Sequence, residues 1–356
     1  MYFTHMRSYP PEKNGIAESH REGPYDDEIA EEELWFLPGP MEEEPDFLPP
    51  LPRAEADERA QIAGWELTQG EQAAHLGRVA ARFGALDERL RRGPEGWRHR
   101  LALIEASELS WLTECRVSTD RLGLWHAMRI SAASDDTSAL QRATWAFRRL
   151  AGGPGPEPDL AGFLGRQEIP RQDPLSEKVA TWNAIMSAAG RLHPIVRACF
   201  AFYLWPLTGI GIEDDRLEGA VVAGRISASE GQGGILFVPV LMGGAGTLRG
   251  GGDPAERLRN WLKAAEQGLV RAMRHIDQLE RWEDTARDRA ACLSGRTPSR
   301  LIEAFCSWPL ITAPMAEKFT GVSRAAIQRN LAWFEAQGLV TEVTGQGRFR
   351  IWRAVL

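Results

Sequence analysis

Cysteine is scarce in this chain: Cys115, Cys199, Cys292 and Cys306 are the only four in 356 residues. No two have metal-ligand spacing, and each stands in an apolar helical context. That predicts buried thiols in a reducing cytoplasm, and neither a disulfide framework nor a zinc site. No apolar run reaches the roughly 18 residues of a membrane span, so none is expected. Residues 1–20 lack the apolar segment of a signal peptide, so a cytoplasmic protein is expected. Long β-branched runs are almost absent, which leaves little sheet outside one C-terminal stretch. No Gly-Lys-Ser/Thr closes a glycine-rich loop, and no GxGxxG follows a strand, so a phosphate cradle of either kind is not supported. Asp135 and Asp136 have no His or third acid at helical spacing and read as solvated loop acids. No metal and no cofactor is expected.

What is present is a hydrophobic fraction of 43% in a background rich in Ala, Leu, Arg and Glu. The expected fold class is mainly α. Residues 1–57 form an acidic, proline-rich segment. Within it 1–25 is expected to be disordered, and Trp35, Phe36 and Phe47 are expected to dock on the body. Residues 58–295 read as a helical body and 296–356 as a separate C-terminal domain. Helical spacing predicts helices over 59–90, 97–112, 118–131, 138–150, 160–164, 175–189, 217–229 and 299–308. Residues 152–157 are a Gly/Pro connection and a candidate subdomain boundary. Residues 192–205 are apolar almost all round and should form the central buried helix, with His193 at its entrance ahead of Pro194 as a capping or structural residue, the alternative being a catalytic His. The glycine-rich stretch 231–252 reads as an irregular surface connection. Over 254–291, Leu258, Leu262, Ala265, Leu269, Ala272, Ile276 and Leu279 recur at alternating fours and threes. That seam belongs either to the protein's own core, the favoured reading, or to a homodimer.

The C-terminal stretch is the most informative. A short helix is expected over 311–319 and a tight corner at Thr320, Gly321 and Val322. A second helix over 323–337 is opened by Ser323 as its side-chain cap and ended by Gly338. Two strands, 339–343 and 348–352, follow. This is the order of a winged helix-turn-helix, whose second helix enters the major groove of double-stranded DNA. Val322, Ile327, Leu331 and Phe334 should face the core. Ser323, Arg324, Gln328 and Arg329 should face DNA, where Arg suits guanine, Gln suits adenine, and either can hold a phosphate. Arg348 and Arg350, with Arg353 beyond them, should line the outer face of the wing, with Phe349 and Ile351 turned inward.

The run His193-Pro194-Ile195-Val196-Arg197-Ala198, followed by aromatics and a loop, resembles the central helix of Fic-type proteins, which usually transfer a nucleotidyl group to a hydroxyl. The whole chain, roughly 28–356, looks closer still to a bacterial family joining a domain of unknown function to a C-terminal helix-turn-helix. The Fic loop carries a basic His, a magnesium-holding acid and a Gly-Asn phosphate wrap. Here Gly209 stands where the His is expected, Glu213 or Asp214 matches the acid, and Asp214 and Asp215 replace the Gly-Asn pair. The resemblance therefore implies a Fic-like body without transfer chemistry, and no catalytic residue. The expected function is a transcriptional regulator that binds DNA. The alternatives are a nucleotidyl transferase with an accessory winged helix and a protein-interaction scaffold.

Overall fold

The computed structural model describes residues 54–113, 116–128, 134–165, 175–211, 216–244, 248, 252–345 and 349–356. The expectations for 1–53, Cys115, Glu213, Asp214, Asp215 and Arg348 lie outside them. Among the described residues the chain is mainly helical, with thirteen α-helices and three short strands. Arg53–Leu356 forms one compact unit, and the 152–157 connection lies within it.

Helix α10 (Pro254–Ala290) is the spine of this unit. Asp253 starts it by accepting a hydrogen bond from the Glu256 N–H at 2.8 Å, and Pro254 pre-sets the first turn. All seven stripe residues from Leu258 to Leu279 are fully buried within the chain, so the stripe belongs to the core and not to a dimer seam. Each of its large side chains contributes about 1.5–3 kcal/mol of burial. The helix expected over 59–90 is two, α1 (Ala54–Glu71) and α2 (Ala73–Arg92), with Gln72 between them. Gln72 donates to the Ala255 carbonyl at 2.7 Å, and Arg89 reaches Asp277 and Glu280 on α10 at 2.6 Å each.

Helix α3 (Glu95–Leu109) packs on α4 (Thr119–Met128) and α5 (Ser134–Ala151). The short α6 (Leu160–Leu164) and α7 (Leu175–Ala188) lead to α8 (Pro194–Leu204), which is buried along most of its length as expected. His193 is its cap: the ring Nδ1 accepts from the Ile195 N–H at 3.2 Å. Helix α9 (Arg216–Ser227) lies against α8. Trp205 fits there because a Cβ on Gly219 would come within 2.6 Å of the indole. Arg225 of α9 donates to the carbonyls of Arg149, Gly152 and Gly153, satisfying the end of α5.

Residues 235–243 are not the expected surface connection. Ile235, Phe237, Val238, Val240, Leu241 and Met242 are buried. Two carboxylates from the helices take up the backbone groups this burial strands. Asp87 accepts from the N–H groups of Gln232 and Ile235 at 2.5 and 2.8 Å. Glu105 accepts from those of Leu241 and Met242 at 2.8 Å each. The apolar content of the segment drives it inward once its amides have acceptors. The thiols divide: Cys199 and Cys306 are buried as expected, whereas Cys292 is exposed in the turn after α10.

Candidate nucleic-acid interface

The last sixty residues form α11 (Thr297–Ser307), β1 (Ile311–Thr312), α12 (Ala313–Thr320), α13 (Arg324–Ala336), β2 (Val340–Glu342) and β3 (Ile351–Ala354). The strands make an antiparallel sheet in the order β1-β3-β2. β1 falls inside the helix expected over 311–319 and went unread, because two residues carry no periodicity. Thr312 caps α12 by accepting from the Met315 N–H at 3.3 Å. Gly321, with φ 66, ends that helix in the left-handed conformation glycine tolerates. Thr320 braces the corner: its hydroxyl donates to the Ala316 carbonyl at 2.6 Å and accepts from the Val322 N–H at 3.3 Å.

Helix α13 buries Ile327, Leu331 and Phe334 completely. Ser323, Arg324, Gln328 and Arg329 are all exposed. Ser323 occupies the cap position, but its side chain makes no capping bond; only its carbonyl is engaged, by the Ile327 N–H at 3.0 Å. Arg324 is not a free cation. Glu317 of α12 grips its guanidinium with two bonds, at 2.6 and 2.9 Å. The same contact raises the pKa of Arg324 and lowers that of Glu317. The sequence reading missed Glu317; its signal was a carboxylate seven residues before Arg324, across a turn that folds the two helices together.

The β2–β3 stretch departs from the alternation expected of a wing. Phe349 has φ 61 and is 88% exposed, and β3 begins only at Ile351. Trp352 and Ala354 are the buried residues of that strand. Trp352 sits between Ile311 and Glu342, because β3 is the central strand and its larger indole gains more by burial than the Phe349 ring. Arg350 is exposed just ahead of the strand, and Arg348 lies outside the described residues. Arg353 is tied to Asp120 at the start of α4. Beyond β2, Glu342 closes the turn by accepting from the Thr344 and Gly345 N–H groups at 2.8 and 2.9 Å.

This segment is joined firmly to the body. Trp282 of α10 donates its indole N–H to the Leu339 carbonyl at 2.8 Å, and Arg289 donates to that of Gln337. Trp308 packs edge-on to His99 and stacks on His126 and Phe319. Beside it opens a cavity of about 570 Å³ lined in part by Glu283, Cys306, Trp308 and Phe319. Burial and the neighbouring Glu283 push the Cys306 thiol well above its ordinary pKa, so it is no thiolate nucleophile.

Residues 296–356 carry eight Lys and Arg against four Asp and Glu, in a chain whose formal net charge is -7. Among the described residues, no helix is long and apolar enough to cross a membrane and no group of three His, Cys, Asp or Glu is placed to hold a metal ion. No protein-family model matches the chain, and no curated protein matches it.

Proposed function

We propose that the chain is a DNA-binding protein, a transcriptional regulator, in which α11 to β3 act as a winged helix-turn-helix and α13 is the recognition helix. The observation that carries this reading is the exposed face of α13, where Ser323, Arg324, Gln328 and Arg329 stand on a cationic segment of an acidic chain. Gln328 has the donor-acceptor pair that suits adenine, and Arg329 and Arg350 suit phosphates. Arg324 is held near the helix start by Glu317 and exchanges that carboxylate for guanine or phosphate on docking. Arg353, committed to Asp120, takes no part. The body is then a degenerate Fic-like scaffold for sensing or oligomerisation. The buried α8 and its His193 cap support that likeness.

Anisotropy titration of the full chain with duplex DNA from upstream of its own coding sequence, at two salt concentrations, tests the proposal. Binding that weakens with salt is expected. Gln328→Ala should cost about 1–3 kcal/mol at the preferred site and relax its sequence preference. Arg329→Ala should weaken binding to all sequences and flatten the salt dependence. Both positions are exposed, so the melting temperature should not move. Absence of binding at low salt overturns the reading.

A further inference from the structure

On the flank of the body, α4 and α5 enclose a groove of about 650 Å³, lined by Trp125, Gln141, Thr144, Trp145, Arg148 and Arg149 together with His126. Among the described residues its lining holds two indoles and two guanidiniums and no carboxylate. The Trp145 indole is fixed in place, its N–H donating to the Leu164 carbonyl at 3.2 Å. Arg149 lies 5.3 Å over the Phe163 ring and donates to the Gly162 carbonyl at 3.4 Å. Arg225 beneath it is bonded to backbone carbonyls. Burial and the charge of Arg149 push the Arg225 guanidinium down to about 10, as expected where positive charge is poorly compensated. Thr144, 7% exposed, forms part of the groove wall.

We propose that this groove binds a free mononucleotide. The indoles stack the base, Arg148 and Arg149 take the phosphate, and the exposed Gln141 bonds to a polar edge of the ligand. The volume suits a small-molecule site. An apolar ligand would leave both guanidiniums unanswered. An inorganic anion would leave the indoles unused, and a cation would be repelled. His126, on the same wall, stacks on Trp308 at 5.9 Å, and Trp308 stacks on Phe319 of α12 at 5.1 Å. An occupant therefore touches the column of rings on which the helices before α13 are seated. The site itself does not depend on the DNA-binding reading, and its test uses no DNA.

The test is calorimetric titration of the full chain with AMP and UMP, and with adenosine and inorganic phosphate as partial ligands. At least one nucleotide should bind with a dissociation constant below about 1 mM. Adenosine and phosphate should each bind at least about tenfold more weakly than that nucleotide. Arg148→Ala, at an exposed position, should weaken nucleotide binding by about tenfold or more without moving the melting temperature. The proposal is overturned by absence of nucleotide binding, by phosphate or adenosine matching the nucleotide, or by an affinity indifferent to Arg148→Ala.

Discussion

Burial alone would keep Glu105 protonated; the N–H groups of Leu241 and Met242 pull the other way. Burial wins, and the pKa is pushed up from 4.5 to about 7. The folded chain therefore holds this proton more tightly than the unfolded one. Its contribution to stability is complete below pH 4.5 and is lost as pH rises to about 7. His99 and His275 act in the opposite sense. Burial, helped by the positive charge of His126 and Arg100 for His99 and of Arg100 for His275, lowers each from 6.5 to about 4. Their contribution is present above pH 6.5 and is lost as pH falls to about 4. Two histidines outweigh one carboxyl. Stability measured by denaturant titration should fall by about 2 kcal/mol between roughly pH 6.5 and pH 5. His275→Gln should reduce that fall, and Glu105→Gln, which removes the opposing group, should steepen it. At constant pH, Glu105→Ala strands two buried N–H groups and should cost about 1–3 kcal/mol for each.

At the scale of elements, the contact between α10 and the buried 235–243 segment depends on glycine. A Cβ on Gly268 would stand 1.6 Å from the Pro239 carbonyl oxygen, and one on Gly243 would stand 2.1 Å from that of Ala264. In a free helix Gly→Ala gains about 0.5–1 kcal/mol. Here Gly268→Ala should instead destabilise by about 1–3 kcal/mol or more, read as a lower melting temperature, because backbone must move to admit the methyl. The difference explains what the sequence could and could not tell. The α10 stripe was legible because Leu258, Leu262, Leu269, Ile276 and Leu279 repeat with helical period along one face. The exposure of Gln328 and Arg329 was legible for the same reason, since Ile327, Leu331 and Phe334 define the opposite face. The buried segment was not, because Gly-rich, Pro-interrupted sequence reads as surface. What draws it inside is supplied by Asp87 and Glu105, acids that on their own helices look solvated. Nor was the register of β3 legible: Trp352, rather than Phe349 and Ile351, is set inward by β1, a strand of two residues.

At the scale of the whole molecule, the C-terminal segment is fused to the body rather than tethered to it. Trp282, Arg289, Asp120 and His99 join it on several sides, and Phe305 packs edge-on against the Trp282 ring at 5.9 Å. Differential scanning calorimetry should therefore show one cooperative transition for Arg53–Leu356. Trp282→Phe, which leaves the Leu339 carbonyl only the Val355 N–H as donor, should lower that transition as a whole and not split it. Two independent transitions would mean that the segment melts separately.

The carboxylates under the 235–243 segment also order events during synthesis. Glu105 waits for partners 136 residues downstream, and Asp87 for one 145 residues away. Arg89 waits still longer, for Glu280, 191 residues on. A ribosome adding about 5–20 residues per second needs roughly 7–27 s to deliver the partner of Glu105. Throughout that interval the apolar faces of α2 and α3 have no α10 to cover them. Emerging chains should thus be captured by holdase chaperones until translation passes the end of α10, and release should be nearly all-or-none from that codon onward.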